Sequence, residues 1–145
     1  MEQMLTLKNQ LCFAIYETSS EFNKLYANLL QPYGLTYPQY LALLALWEQD
    51  GLSMKELGER LTLGTGTLTP MINRMEAGGW LRKERSSEDE RRVHVFLLQK
   101  ARDLKGPIVQ KVTEEIIGCQ IELEEYEQLM QRLHRIQAKL RSRNK

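Results

Sequence analysis

Ser53-Met-Lys-Glu56, Thr65-Gly-Thr-Leu-Thr-Pro-Met-Ile-Asn-Arg-Met-Glu-Ala77 and Val93-His-Val-Phe-Leu97 are the three pieces whose order decides the fold. The Ser-x-x-Glu spacing is a capping box and predicts a short helix running to residue 61. Leu63-Gly64 is a break. The second piece is helical until Gly78-Gly79 stops it. Pro70 is awkward there, because it lacks an N–H and crowds the carbonyl four residues back. Either the helix starts at Thr65 with Pro70 inside it, or Thr69 is the N-cap and Pro70 the first helical residue; the earlier start is adopted. Residues 80–85 and 93–97 then read as two strands around a polar tip, with Val93, Val95 and Leu97 alternating with His94 and Phe96. A short helix, a tight turn, a second helix and a hairpin make a winged helix-turn-helix. Its second helix can enter a major groove while the hairpin reaches the neighbouring minor groove.

The flanks extend this picture. Met4, Leu7, Leu11, Ile15, Thr18, Phe22, Leu25 and Leu29 recur every three or four residues, the stripe of one long helix ending near Pro32-Tyr33-Gly34. At about 1.5 Å per residue it exceeds roughly 40 Å, more than a small core can cover, and so predicts a partner chain. Pro38 opens a strongly apolar helix over residues 39–48, and Gln49-Asp50-Gly51 is a turn. From residue 102 the pattern is helical again, weakening at Gly106-Pro107, with Ile108, Val112, Ile116, Leu123, Leu129, Leu133, Ile136 and Leu140 as its apolar positions. The expected fold is mainly α with a small β-hairpin wing, an obligate dimer through its N- and C-terminal helices. Residues 1–34 are assigned to dimerisation and the start of the core, 35–104 to the DNA-binding region and 105–145 to C-terminal dimerisation helices.

Composition removes several classes. The 145 residues are 42% hydrophobic and 27% charged, which is one domain's worth of foldable chain. The longest apolar run, residues 41–47, falls far short of the roughly 20 residues a membrane span needs. Residues 1–8 lack the basic-then-apolar order of a signal peptide, so a cytoplasmic protein without a membrane partner is expected. Cys12 and Cys119 are too far apart for a disulfide scaffold or zinc module, and His94 and His134 are too few for a metal or haem site. The methionines at 54, 71, 75 and 130 fall at helical spacing and read as core. No Ser/His/Asp order, Walker sequence or dinucleotide fingerprint is present, and Gly64-x-Gly66 alone carries nothing. No cofactor, metal or catalytic residue is expected, and the chain is not read as an enzyme.

The net charge of +1 does not announce a polyanion partner, but its distribution does more. Arg82, Lys83, Arg85, Arg91 and Arg92 crowd the hairpin, and local contacts are what release counterions from DNA. Thr65, Gly66, Thr67 and Thr69 begin the second helix, where hydroxyls and backbone N–H groups can donate to phosphates. Arg74 lies one to two turns on, within reach of a base edge or the backbone. The same residues would also suit an ordinary N-cap. The tip Ser87-Glu-Asp-Glu-Arg-Arg92 interleaves acids with arginines, and a charge-assisted bond from an Asp can fix an Arg for insertion into a narrow minor groove.

Cys12 sits one position off the apolar stripe of the long helix, and Lys8 at i−4 and Tyr16 at i+4 share its face. A nearby ammonium and a phenol would favour the thiolate, the form that attacks a peroxide and becomes a sulfenic acid. A small buried hydrophobe is the plainer alternative. Tyr26 lies on a similar azimuth but about 21 Å along the axis, so it reaches a Cys12 only from an antiparallel partner helix. Cys119 reads as a packed thiol or as a resolving cysteine that captures the sulfenic acid as a disulfide.

Leu11-Cys-Phe-Ala-Ile-Tyr16, Leu35-Thr-Tyr-Pro-Gln-Tyr-Leu-Ala-Leu-Leu44, Gly66-Thr-Leu-Thr-Pro-Met71 and Glu88-Asp-Glu-Arg91 together resemble the MarR-type regulators, and within them the organic-hydroperoxide-sensing repressors. The likeness covers roughly residues 9 to 97. It implies a homodimeric winged-helix repressor on a pseudo-palindromic operator of double-stranded DNA, with an organic hydroperoxide as the oxidant. It implies Cys12 as the reactive thiol, with Tyr16, Tyr26 and Tyr37 at its pocket and some of these reaching across the dimer. Where such proteins carry a second cysteine near the position of Cys119, the resemblance implies an intersubunit disulfide. It implies Pro70 among the recognition-helix residues, Asp89 and Arg91 as the wing pair, and Arg91 entering the minor groove. Gly64-Thr65 departs from the Asp-Ser of many members, and Leu98-Gln-Lys-Ala101 from their Thr-x-x-Gly. Two other readings compete: a MarR-type repressor answering a small aromatic or acidic ligand with inert cysteines, and a thiol-dependent peroxidase.

Overall fold

Thr36 begins the core. In the computed structural model, which describes residues 2–145, its hydroxyl accepts the Gln39 N–H at 3.4 Å while the Gln39 side chain accepts the Thr36 N–H at 3.1 Å. That reciprocal box starts α2 (Tyr37–Glu48) one residue before Pro38, where the missing N–H of proline does no harm. Ala42, Leu43, Ala45 and Leu46 of α2 are buried. The preceding helix, α1, covers Leu11–Leu30, and Gly34, at φ +68°, ends the turn that follows it.

Ser53 caps α3 (Met54–Leu61) as its spacing predicts. Its hydroxyl accepts the Glu56 N–H and donates to the Glu56 carboxylate, both at 3.1 Å. The Ser53 backbone is engaged in a bridge to His94. The turn after α3 is tight: Thr62 is left-handed at φ +56° and the Leu63 N–H closes on Gly58 O at 2.9 Å. A Cβ on Gly58 would lie 2.9 Å from Leu63 O, so the turn needs glycine there. α4 covers Thr65–Ala77 with Pro70 inside it, the earlier of the two starts. β1 (Leu81–Arg85) and β2 (Val93–Leu97) pair antiparallel, with Lys83 opposite Val95. Trp80 stays outside β1 because its N–H closes α4 on Met75 O at 3.0 Å. Leu30, Leu43, Leu46, Leu52, Leu57, Ile72, Met75, Leu81, Val95 and Ile108 are the largest fully buried side chains.

One carboxylate stitches three segments. Asp50 Oδ1 accepts the Gly51 N–H at 3.0 Å and the Leu97 N–H at 2.9 Å, and Oδ2 lies 3.4 Å from the Arg102 guanidinium. The second edge of β2 is covered by the same turn, through Gly51 N–H to Val95 O and Val95 N–H to Leu52 O.

Three expectations are corrected. The stripe from Met4 does not form one helix: Glu2–Leu5 and Leu7–Asn9 are 3-10 turns, and Thr6 and Gln10 are extended. The side chains of Thr6 and Asn9 donate to Gln3 O and that of Gln10 to Met4 O, giving the backbone local partners in place of a helical ladder. α1 is therefore about 30 Å long. Gly106-Pro107 does not interrupt α5, which covers Gln99–Gly118. The break falls later, where Gln120 turns left-handed at φ +58° ahead of α6 (Leu123–Arg143). Met71 and Met75 are buried but Met130 is exposed. The chain divides into two compact units between Val109 and Gln110. The first contains α1 to α4 and the hairpin, the second α6. Among the described residues no helix is long and apolar enough to cross a membrane, and no group of three acid, His or Cys side chains is set to hold a metal.

Candidate nucleic-acid interface and thiol positions

α4 buries Leu68, Met71, Ile72 and Met75, which leaves Thr65, Gly66, Thr67, Pro70, Asn73 and Arg74 exposed and Thr69 half-buried. Its N-cap, Gly64, supplies no side-chain acceptor; the Thr67 N–H closes on Gly64 O at 3.1 Å, and the Thr65 and Gly66 N–H groups keep their capacity to donate outward. Nothing lies within 4 Å of a Cβ built on Gly66, so that end of the helix is open to close approach.

The hairpin tip is an ordered turn. Ser86 accepts from the Glu88 and Asp89 N–H groups at 3.2 and 3.4 Å, and its own N–H donates to Arg92 O at 2.8 Å. Asp89 Oδ1 accepts the Arg91 N–H at 3.0 Å and the Arg91 Nε at 3.3 Å, while the Arg91 side chain is 93% exposed. The arginine is thus extended and steered at once. Arg85 folds back, its guanidinium donating to Glu90 O at 3.0 Å. Between α3, α4 and the hairpin lies an open cleft of about 820 Å³, lined by Lys83, Arg85, Arg91 and Arg92 together with Glu56, Glu59 and Glu76. Arg74, Arg85, Arg91 and Arg92 are all exposed.

The thiol residues are arranged differently from the sequence reading. Cys12 is exposed in the first turn of α1, and its Sγ donates to Gln10 Oε1 at 3.6 Å. Lys8 belongs to the preceding 3-10 turn, with the extended Gln10 between, so it is not one helical turn below Cys12. Tyr16 stays one turn on in α1 and stacks on Phe13 at 6.0 Å. Tyr26 and Tyr37 do come together, at 4.6 Å, with Tyr40 as a third ring 5.4 Å from Tyr26. Burial pushes both the Tyr37 and Tyr40 phenols above their ordinary range, and Tyr37 raises Tyr40 further. Cys119 lies in the turn after α5, not within a helix, and is exposed; its N–H is shared between Glu115 O and Ile116 O, both at 3.1 Å.

Three contacts escaped the sequence reading. Glu76 accepts the Lys83 N–H at 2.9 Å, Asn73 accepts from the Lys83 ammonium, and Asp50 anchors β2. For Asp50 the signal was present, since an Asp before Gly in a turn commonly takes backbone partners. Glu76 and Asn73 gave none, because their partner comes from another element.

The profile of the SarA/Rot transcriptional regulators matches residues 24–108. The chain is 54% identical over 101 residues to the HTH-type transcriptional regulator TtmR of Methylorubrum extorquens strain PA1, covering 70% of this chain and 52% of that protein. It thus spans about half of that relative's length. It is 48% identical over 112 residues to the organic hydroperoxide resistance transcriptional regulator of Bacillus subtilis strain 168, covering 72% of this chain and 76% of that one. Reduced AbfR bound to DNA superposes with a TM-score of 0.87 at 32% identity, covering 100% of this chain and 99% of that one. Disulfide-formed AbfR gives 0.69 at 32% identity, covering 93% and 95%. AbfR is from Staphylococcus epidermidis.

Proposed function

Because the chain belongs to the SarA/Rot family of transcriptional regulators and has the winged-helix fold of the MarR type, we propose that it is a homodimeric repressor whose hold on operator DNA is switched by oxidation of Cys12. The observation that carries the DNA-binding half is the tip pair: an Arg91 extended into solvent and steered by Asp89, beside a recognition helix with an uncapped start. Thr65, Thr67, Thr69, Pro70 and Arg74 face the major groove and its phosphates. Arg91 enters the minor groove, with Arg85 and Arg92 on the flanking backbone. Residues 35–104 carry this module, and residues 1–34 and 105–145 carry dimerisation.

The pattern of α6 supports a second copy as the partner. Tyr126, Leu129, Leu133, Ile136 and Leu140 alternate at three and four, and Tyr126, Leu129 and Leu140 are each about half exposed. Glu124, Glu125 and Glu127 lie at one end of the helix, and Arg132, Arg135, Lys139, Arg141 and Arg143 toward the other. Two copies packed antiparallel set acid against base, with Leu133 at the centre of the seam.

For the switch, the Cys12 thiolate attacks the outer oxygen of an organic hydroperoxide. An S–O bond forms, the O–O bond breaks, and the alkoxide leaves as the alcohol after taking a proton. The Cys119 thiolate of the second subunit then displaces water from the sulfenic acid to give a disulfide. The existence of AbfR in a reduced, DNA-bound form and in a disulfide form, and the organic hydroperoxide resistance named for the Bacillus subtilis relative, support a redox input of this kind. Releasing DNA requires the oxidised form to favour the non-binding arrangement by a few kcal/mol. The test pairs non-reducing mass analysis with operator binding, before and after stoichiometric cumene hydroperoxide. A Cys12→Ser chain is expected to bind DNA and ignore the peroxide. If it responds like the wild type, the input is a ligand and not this sulfur; sustained turnover with a reductant would instead mark a peroxidase.

A further inference from the structure

β1 is an edge strand whose outer side meets α4, and Lys83 makes the join twice. Its N–H donates to Glu76 Oε2 at 2.9 Å. Its ammonium donates to Asn73 Oδ1 and lies 3.9 Å from Glu76 Oε1. Asn73 and Glu76 are one turn apart on α4, so a single strand residue is gripped by two successive positions of the recognition helix. A second fastening closes the other end of the same corner. The Lys100 ammonium of α5 donates to Gly78 O at 2.9 Å and lies 4.5 Å from the Trp80 ring. The turn between α4 and β1 is therefore held on both sides.

The consequence is geometric. Arg91 sits beyond the ends of two strands, and a strand advances about 3.3 Å per residue. A tilt of the hairpin about its base is thus magnified at the tip. A guanidinium that must enter a groove about 6 Å wide tolerates little of it. Asn73 and Lys83 also have side chains that could read a base or bind a phosphate, yet here each occupies the other.

Resting on the DNA-binding reading above, we infer that Asn73, Glu76 and Lys83 form a latch that sets the angle between recognition helix and wing. All three are positioning residues. They act through Arg91 and not on DNA directly.

The experiment uses the full chain and a duplex selected from a random pool by the wild-type protein. Affinity is measured against salt for wild type, Asn73→Ala, Glu76→Gln, Lys83→Met and Arg91→Ala, and for the Lys83→Met/Arg91→Ala double variant. Asn73→Ala and Lys83→Met are expected to weaken binding about five- to twentyfold with an unchanged salt slope. Glu76→Gln, which keeps an acceptor for the Lys83 N–H, is expected to lose less. Arg91→Ala is expected to cost at least threefold less in the Lys83→Met background than in wild type, a coupling that general loss of fold does not produce. The latch is overturned if Lys83→Met lowers the slope by about one, the mark of a direct phosphate contact. It is equally overturned if Asn73→Ala tightens binding, or if Arg91→Ala costs the same in both backgrounds. A wild-type protein that selects no duplex removes the DNA-binding reading itself, and the latch with it.

Discussion

Arg91 is 93% exposed, and an unrestrained side chain in that state loses rotamer freedom when it enters a groove. Asp89 reduces that loss by holding both the Arg91 backbone and its guanidinium. Arg91→Ala and Asp89→Ala are therefore each expected to weaken operator binding, the arginine change by about 1–3 kcal/mol and the aspartate change by less. Anisotropy titrations of the single and double variants check this, with the double expected near Arg91→Ala alone; simple addition of the two losses counts against the pairing. The Tyr37 and Tyr40 phenols give a pH signature. Their folded pKa values are raised by burial, while the unfolded chain ionises near pH ~10. The stability they contribute is whole below about pH 10 and is lost as pH climbs through the folded values. Urea midpoints are expected to fall from about pH 10 upward, and less steeply in Tyr37→Phe. At this scale the wing pair was legible because both partners are two residues apart in one loop. The Lys8–Cys12 proximity was not real, because it presupposed a helix through Gln10, whose extended backbone no periodicity reveals.

Within single elements, local chemistry carried most of the reading. Ser53 fixed the start of α3, Gly78-Gly79 the end of α4, and alternation the second strand of the hairpin. Pro107 misled, since its site in α5 takes it without ending the helix. Pro70 is the informative case. It interrupts the α4 ladder at an exposed site, so Pro70→Ala restores an N–H donor and is expected to raise the unfolding free energy by up to about 3 kcal/mol. A urea midpoint that falls would mean the proline ring packs usefully where it is. Gly51 argues the opposite way. At φ +77°, with Phe96 Cε1 2.9 Å from an added Cβ, Gly51→Ala is expected to destabilise by about 1–2 kcal/mol or more. Denaturant titration measures both.

For the whole molecule, the fold class was readable because helix, turn, helix and hairpin occur in order, whereas the assembly was inferred from faces that one chain leaves uncovered. On the dimer proposed above, Leu133→Glu puts a charge at the centre of the α6 seam. It is expected to yield monomers in sedimentation and to lower operator affinity at least tenfold; a variant that remains dimeric would move the interface elsewhere. Asp50 has a further consequence, since its carboxylate holds the Gly51 and Leu97 amides and the Arg102 guanidinium. The hairpin cannot fray from that side without releasing the start of α5 as well. In hydrogen-exchange experiments the Gly51, Val95 and Leu97 amides should therefore open together in one slow event, and the hairpin should move as one stiff piece with the start of α5 rather than as a flexible finger.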